Sequence, residues 1–443
     1  MTPPKDRRLA NNKLANSKSA RPKSGTKPSD AKTVSTSTDL SVRTITSPEI
    51  DGWMRCMATG FLSHPAEGEG AFRLGDMDLD RTWGAFVGKV SVGTLRSFAT
   101  PLTVPGPAEV TSAALTNVTV APTHRRRGLL TRMITSDLRA SAERGEVVGI
   151  LIASEFPIYG RFGYGAAVDA ATYTVVRESV RFLRRSVGHV ELVDLPTLRQ
   201  QAPPVYERFR VAQPGSIGRG ERWWDRTLEQ VEVPGATPAK GYQTIYRSPE
   251  GEVQGYLRYT ASNEWDHMRP KGSLTVVEMV ATTPDAYLGL WRYCCEVDLV
   301  TRIHAGDRSV HEPLAWFLED GRAIRQDGRF DFLWVRVLDV AASLSARRYS
   351  TDGRLVIEVT DALGIANGRF ALDGGPDGAT CTKTTRSADL TLPVSALGSA
   401  YLGGMSLLTL GGAGKVDEHA VGALLRADTM FHSPVTPWCS TWF

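Results

Sequence analysis

Residues 117–165 contain the pattern that decides the fold: NVTVAPTHRRRGLLTRMITSDLRASAERGEVVGILIASEFPIYGRFGYG. A strand pattern ends at Val120, a turn rich in Arg and Gly covers residues 124–130, and an amphipathic helix follows. A second apolar strand over residues 148–153 leads into a segment of Tyr, Gly and Arg. This order predicts a strand–turn–helix–strand unit in which the turn precedes a buried helix.

The turn at residues 124–130 is a candidate anion site. The first four N–H groups of a helix lack partners within the helix, and the helix dipole places about half a positive charge at that end. Arg125, Arg126 and Arg127 surround this end, and Gly128 lets the backbone approach a ligand closely. A run of arginines is often only a solvated basic surface, but here a buried helix follows it. The turn is neither a Walker loop nor a G-x-G-x-x-G motif, and we expect it to bind a pyrophosphate.

The arrangement Arg125-x-x-Gly128-x-Leu130 after a V-x-V strand resembles the acetyl-CoA signature of the GNAT acetyltransferases. The longer run from VAPTHRRRGLL through IYGRFGYG closely resembles the Eis (enhanced intracellular survival) family of that class. Further similarities lie outside this unit, at VYERF (205–209), LWR (290–292), LWVRV (333–337) and YLGG (401–404). The resemblance extends from residue 43 to the C-terminus and implies an acetyl-CoA-dependent N-acetyltransferase.

The charge of the chain is unevenly distributed. A length of 443 residues is typical of about three domains. The first 40 residues hold nine Lys and Arg against three Asp, a net charge of +6, so the +4 of the whole chain leaves −2 for the remainder. Such a Ser-, Thr-, Pro- and Lys-rich tail cannot bury enough apolar surface to order itself. It could contact nucleic acid, but a solvated extension is the favoured interpretation.

Composition also bears on location and metal content. No apolar run approaches the ~18 residues that a membrane span needs, and no apolar segment follows the basic start as in a signal peptide. The five cysteines include the vicinal pair Cys294 and Cys295 but no C-x-x-C spacing, and the histidines are scattered. We therefore expect a cytoplasmic protein with reduced cysteines, no membrane contact and no metal.

The predicted fold class is α+β, with two tandem GNAT folds and a C-terminal domain similar to sterol carrier proteins. The predicted parts are a disordered basic tail (1–42), a catalytic acetyl-CoA-binding GNAT domain (43–186), a degenerate GNAT-like domain (187–330) and the sterol-carrier-like domain (331–443). The segment VVEMVATTPDAYLGLW (276–291) repeats the layout of residues 118–130, but Pro284, Asp285 and Ala286 replace the arginines. An aspartate would repel phosphate there and is interpreted as a helix cap, so this copy is not expected to bind the cofactor.

The resemblance assigns the cofactor contacts. Backbone groups of Val118 and Val120 are expected to bind the pantetheine arm, with the Val120 amide polarising the acetyl carbonyl, although both could be ordinary strand residues. Glu155 could equally be a surface carboxylate. The expected acetyl-CoA contacts are Val118, Thr119, Val120, Arg125, Arg126, Arg127, Gly128, Leu129, Leu130, Ser154, Glu155 and Arg161.

Acetyl transfer to an amine needs a proton donor for the departing thiolate and an acceptor for the amine proton. By resemblance, IYGRFGYG assigns the first role to Tyr159, and Tyr164 is expected to pack in the core. A phenol of pKa near 10 lies about 1.5 units above a thiol, so the proton transfer is uphill by about 2 kcal/mol. The second role falls, again by resemblance, to the terminal carboxylate of Phe443, in an ending (HSPVTPWCSTWF) whose aromatic residues favour burial. Desolvation would raise the pKa of this weak base.

The resemblance implies a small-molecule amine substrate, such as the aminoglycosides acetylated in antibiotic resistance, or lysine side chains. Carboxylates in the loop 64–80 could attract such cations, and Phe72 and Trp442 are expected to contact the substrate. The family pattern has an acidic residue just before the final Phe, so Trp442 could narrow the range of polyamines. The family also implies a homohexamer of two stacked trimers. The alternatives are a lipid or sterol carrier using the C-terminal domain and a nucleic-acid-associated protein.

Overall fold

The structure is a computed structural model that describes residues 40–237 and 241–443. Most of the tail predicted over residues 1–42 lies outside the described residues. The prediction is wrong for residues 40–42, which begin the strand β1 (Leu40–Thr44), antiparallel to the next strand. The reason is that Leu40 and Val42 alternate along this strand and pack against the apolar core behind it.

Within the described residues, the first part of the chain contains ten α-helices and β-strands. They are β1, α1 (Ile50–Gly60), α2 (Glu69–Leu74), β2 (Thr82–Val87), β3 (Val90–Val104), β4 (Ala108–Val120), α3 (Leu129–Glu143), β5 (Val148–Ile152), α4 (Phe156–Tyr159) and β6 (Gly165–Val176). Strands β1 to β5 lie side by side in chain order, antiparallel except for the parallel pair β4–β5. The unit predicted over residues 117–165 is therefore present.

The central part repeats this topology. Its elements are β7 (His189–Val193), α5 (Leu195–Arg210), α6 (Glu221–Thr227), β8 (Tyr242–Arg247), β9 (Val253–Ala261), β10 (Trp265–Asp266), β11 (Arg269–Pro270), β12 (Gly272–Ala281), α7 (Pro284–Glu296) and β13 (Val300–Ser309). Strands β12 and β13 are parallel neighbours joined by α7, as β4 and β5 are joined by α3.

The start of α7 differs from the sequence interpretation. Its N-cap is Thr283, whose hydroxyl accepts the Ala286 N–H. Asp285 is therefore not the cap. Its carboxylate accepts hydrogen bonds from the Val187 N–H and the Tyr246 hydroxyl instead, which ties the linker between the two repeats to this helix.

The two repeats form one sheet through the antiparallel pairing of β6 with β13 and the insertion of a later strand into the first repeat. Strand β14 (Ile324–Val337) lies between β5 and β6 and is antiparallel to both. The described residues thus form a continuous 12-stranded sheet in the order β1-β2-β3-β4-β5-β14-β6-β13-β12-β9-β8-β7. The predicted domain boundary between residues 330 and 331 falls inside this strand, whose C-terminal half is buried.

The last part of the chain forms a second sheet with helices. Its elements are α8 (Val340–Ala346), β15 (Gly353–Thr360), β16 (Gly368–Gly375), β17 (Gly378–Lys383), β18 (Leu390–Pro393), α9 (Val394–Ala400), α10 (Leu407–Gly412), β19 (Asp417–Glu418) and α11 (Ala423–Phe431). Side chains such as Ile357 and Leu397 share one core with Val335 of β14. The short helix α10 has no periodic signal in the sequence, since six residues make less than two turns.

Candidate active site

Strand β4 has a free backbone edge where the sheet separates. Strands β4 and β5 are paired only as far as Leu115 and Leu151, whereas β4 continues to Val120 beside β3. The backbone of Asn117 has a φ of 55°, and its carbonyl accepts the Thr94 hydroxyl at 2.7 Å. This irregularity is a β-bulge, which re-aims the strand. An extended ligand can therefore bind along the half-exposed edge of residues 116–120.

The arginine turn leads directly into α3. Arg125 is extended, with φ −60° and ψ 157°, and Arg126 and Gly128 have φ values of 63° and 73°. Gly128 is the N-cap of α3, so no side chain caps the first N–H groups of this 15-residue helix. The side chains of Arg125, Arg126 and Arg127 are exposed around this end. Uncapped N–H groups and three guanidinium groups fit the pyrophosphate of acetyl-CoA.

One apolar cluster brings four of the predicted cofactor contacts together with the predicted general acid. Leu129 and Tyr159 are buried in it, and Val118, Val120 and Leu130 pack against it. The strand edge, the helix start and the predicted general acid are thus brought together. The side chain of Thr119 lies beside Gly60 of α1 instead, so only its backbone can contribute to a ligand on the free edge.

The remaining predicted cofactor contacts lie on the exposed turn that surrounds α4. Ser154 and Glu155 follow β5 directly and are exposed. Arg161 follows α4, and its guanidinium lies over the Phe162 ring at 4.9 Å. All three side chains are available to a ligand at the end of β5.

Tyr159 is 7% exposed and its ring packs edge-on against Tyr164 at 6.2 Å. Burial and the nearby Glu155 carboxylate raise the pKa of Tyr159 to about 12. The phenol therefore keeps its proton at neutral pH. Proton transfer to a thiolate then costs about 5 kcal/mol, more than the unperturbed phenol would require.

Tyr164 is a core residue, as expected from the sequence. It is 1% exposed, and burial raises its pKa above the ordinary value. Its hydroxyl lies so close to Gly149 of β5 that an added Cβ there would be 2.9 Å away. The two tyrosines of the IYGRFGYG segment thus share one apolar cluster, in which Tyr159 is the more exposed.

The last twelve residues form a segment without regular secondary structure, residues 432–443, here called the tail. At its end the Phe443 ring packs edge-on against Phe98 of β3, with centroids 5.8 Å apart. The Trp442 ring is 56% exposed and contacts Phe332 of β14 at 4.9 Å, and its indole N–H donates to the Asp307 carboxylate at 2.7 Å. The chain terminus is therefore held at the sheet surface.

A loop of the central repeat lies between the tail and β3. The Pro214 carbonyl accepts the Trp438 N–H at 2.8 Å, and the Ser216 hydroxyl donates to the Trp438 carbonyl at 3.2 Å. On its other side, the Ser216 carbonyl accepts the Thr103 N–H of β3 at 2.9 Å. Sequence reasoning missed this loop, because nothing in its composition indicates that it binds the tail.

The predicted substrate loop is largely neutralised by ion pairs. Phe72 is half-buried on α2. Asp76 pairs with both Arg222 and Arg226 of α6. Further pairs join Glu69 to Arg73 at 3.4 Å and Asp78 to Arg81 at 3.4 Å. Three of the carboxylates expected to attract a cationic substrate therefore have cationic partners within the protein.

Residues 40–237 and 241–443 contain neither a membrane-spanning helix nor a metal-binding cluster. No helix in these ranges is long and apolar enough to cross a membrane. No group of three or more His, Cys, Asp or Glu side chains in them is arranged to hold a metal ion. All five cysteines are free and buried.

Models of known families match three ranges of the chain. They describe an acetyltransferase (GNAT) domain at residues 41–167, a second acetyltransferase (GNAT) domain at 215–337 and a sterol carrier protein domain at 340–440. The chain is an N-acetyltransferase of the GNAT class, with two GNAT folds followed by a sterol carrier protein-like domain. The predicted α+β fold class is confirmed.

Individual relatives narrow this assignment. An uncharacterised N-acetyltransferase of Streptomyces avermitilis is 42% identical over 413 residues, 91% of this chain and 99% of the relative. The N-acetyltransferase Eis of Mycobacterium tuberculosis is 35% identical over 362 residues, 80% of this chain and 86% of the relative. The crystal structure of Eis1 from Mycobacterium abscessus has a TM-score of 0.81 at 34% identity, covering 91% of this chain and 100% of that one. The chain belongs to the Eis family, as the sequence predicted.

Proposed function

We propose that this enzyme transfers an acetyl group from acetyl-CoA to an amino group of a small cationic molecule, with Tyr159 as general acid and the Phe443 carboxylate as general base. Acetyl-CoA supplies the acetyl group as an activated thioester when it is bound. The free edge of β4 would hold its pantetheine arm, and the turn at residues 125–130 its pyrophosphate. The Val120 amide would donate a hydrogen bond to the carbonyl oxygen.

The proposed proton transfers balance the reaction. The terminal carboxylate accepts a proton from the substrate ammonium, which leaves a neutral amine. The amine nitrogen attacks the carbonyl carbon, so that a C–N bond forms and the C–S bond breaks. Tyr159 gives its hydroxyl proton to the departing sulfur and is reprotonated by the proton lost from the product nitrogen. The terminal carboxylic acid releases its proton to solvent, so that both groups return to their starting forms. Since burial keeps Tyr159 protonated, its ground state is the form that this role requires.

The observation that carries this proposal is the position of the chain terminus. Phe443 packs against Phe98, whose backbone pairs with Ala114 of β4, just before β4 and β5 separate. Tyr159 belongs to the apolar cluster of the neighbouring residue Leu115, on the other face of β4. Because the sheet is open beyond Leu115, groups from both faces can reach one substrate there.

We propose aminoglycoside-type polyamines or lysine side chains as substrates, by analogy with the family. Trp442 and Phe72 would supply apolar contacts. Because Asp76 is already paired with two arginines, we expect weaker dependence on the number of substrate charges than an acidic cleft would give. The family also suggests a homohexamer. A lipid-carrier role for the C-terminal domain is less favoured, since apolar side chains of its sheet and helices pack together in one core.

The test is release of coenzyme A thiol by the full chain with acetyl-CoA and a panel of amines. The panel would include an aminoglycoside, a lysine peptide and a monoamine of matched pKa. We expect amine-dependent thiol release and a product heavier by one acetyl group. If no amine in the panel stimulates thiol release while acetyl-CoA binds, the proposed substrate class is wrong.

A further inference from the structure

Arg219 is a buried cation next to the tail. Its side chain is 1% exposed and forms an ion pair with Glu278 of β12 at 2.6 Å. The guanidinium lies over the rings of Tyr206 and Trp223, with its central carbon 3.7 Å and 4.1 Å from their centroids. A guanidinium fixed in this way by a carboxylate and two rings has a defined direction for its N–H groups.

Those N–H groups bind the tail close to its end. The Nε–H of Arg219 donates to the Thr441 hydroxyl at 2.9 Å, and a terminal N–H donates to the Ser440 carbonyl at 3.2 Å. The Thr441 hydroxyl also hydrogen-bonds with the Tyr206 hydroxyl at 2.9 Å. Thr441 is 1% exposed, so both partners of these bonds are shielded from water.

The surroundings of Arg219 keep its guanidinium charged. Burial lowers the pKa of Arg219, but the Glu278 carboxylate together with the Tyr206 and Tyr256 hydroxyls holds it above the ordinary value. Hydrogen bonds from a charged donor are stronger than neutral ones, and a buried one is not screened by salt. The Arg219 guanidinium is therefore charged at neutral pH.

Thr441 is only two residues from the terminal carboxylate. Two residues of extended chain span at most about 7 Å. Fixing Thr441 thus confines the carboxylate to a small volume, whereas an unattached tail end would sample a much larger one. A general base gains from such restriction, because proton transfer requires hydrogen-bond distance to the substrate.

We propose that Arg219 is the positioning residue for the Phe443 carboxylate. The proposal rests on the proposed function of that carboxylate as the base. The central repeat lacks arginines at the start of α7, but α5, α6 and β12 supply the side chains that hold Arg219 in place. The repeat that does not bind the cofactor therefore contributes to catalysis through the tail.

The test compares Arg219→Gln with Arg210→Gln. Arg210 is a matched control, because it is also a buried arginine, 3% exposed, that joins the central repeat to the first. Its hydrogen bonds go to Glu207, Glu109 and Thr103 and not to the tail. Two readouts are used on the full chain: release of Phe443 by carboxypeptidase, and kcat at saturating acetyl-CoA. Thr441→Val removes the hydroxyl alone and serves if Arg219→Gln does not fold.

We expect at least tenfold faster release of Phe443 and at least tenfold lower kcat in Arg219→Gln, with acetyl-CoA affinity within twofold of the parent. Arg210→Gln should change neither readout by more than twofold. Unchanged Phe443 release and unchanged kcat in folded Arg219→Gln or Thr441→Val would overturn the proposal. Faster Phe443 release with unchanged kcat would overturn the proposal that the hydrogen bonds from Arg219 to the tail contribute to catalysis. If a protein extended beyond Phe443 is then also fully active, the base assignment itself has failed.

Discussion

The ring of Phe443, the last residue of the chain, packs edge-on against Phe98 of β3 with centroids 5.8 Å apart. The contact brings the C-terminus to the strand beside β4, where the sheet separates. It depends on the tail being held along residues 213–219 of the central repeat. All three parts of the chain therefore meet at the proposed site.

Extending the chain by one glycine after Phe443 tests the terminal carboxylate. The new carboxylate would lie about 3.5 Å further along the chain, and a neutral peptide group would replace the base. We expect kcat for amine acetylation to fall at least about 100-fold, the range in which general base catalysis contributes. Thiol-release kinetics measure this, and the same glycine added before Met1 is the control. Equal activity of the two extended proteins would contradict the assignment.

Replacing Tyr159 by Phe tests the general acid. Only the hydroxyl is lost, so the packing against Tyr164 should remain. We expect kcat to fall about 100-fold, with acetyl-CoA affinity, measured by calorimetry, changed less than threefold. Tyr164→Phe removes a hydroxyl from the core of the same segment and should retain at least half of the parent kcat. A Tyr159→Phe enzyme with parental turnover would remove this residue from the mechanism.

The arginine turn can be tested by binding alone. Arg126→Gln and Arg127→Gln each remove an exposed guanidinium beside the uncapped start of α3. We expect each to weaken acetyl-CoA binding about tenfold, the loss of roughly 1.4 kcal/mol from one charge-assisted hydrogen bond. At saturating acetyl-CoA, kcat should stay near the parental value. Arg139→Gln, exposed further along α3, is the control. Affinity lost equally in the control would indicate a general charge effect.

Asp137 of α3 gives a prediction for stability. It accepts hydrogen bonds from the Ser97 hydroxyl at 2.7 Å and the Trp83 indole at 3.1 Å, and burial raises its pKa from 3.8 to about 6. Because the folded pKa is above the unfolded one, its stabilising contribution is complete below pH 3.8 and is lost as the pH rises through 6. We expect the group to lower the free energy of unfolding by about 1.5 kcal/mol between pH 5 and pH 8.

Urea unfolding at the two pH values measures this effect. Asp137→Asn cannot ionise, so its stability should change less between pH 5 and pH 8 than that of the parent. Asp377→Asn, at an exposed position, should behave as the parent does. If the free energy of unfolding of Asp137→Asn changed between pH 5 and pH 8 as much as that of the parent, other groups would be the cause of the change.

Local patterns predicted well the strand and the helix that flank the proposed cofactor site. The end of β4 at Val120 and the helix after Gly128 follow from apolar periodicity and from the turn residues, which act over a few neighbouring positions. The prediction of Asp285 as a cap was wrong, because Thr283 directly precedes the helix and its hydroxyl accepts the Ala286 N–H, whereas Asp285 lies inside the first turn. The raised pKa of Tyr159 was not visible either, since it depends on burial by distant residues.

By itself, the sequence determined the strand–turn–helix–strand unit over residues 117–165, the arginine turn, the family and the core position of Tyr164. The tertiary structure alone decided the insertion of β14 between β5 and β6, the ion pairs of Asp76 with α6 and the hydrogen bond of Arg219 to Thr441. The physical reason is that periodicity and turn chemistry are local properties, whereas these contacts join residues far apart in the chain. Which distant residues meet depends on how all the apolar faces pack at once, and no short segment carries that information.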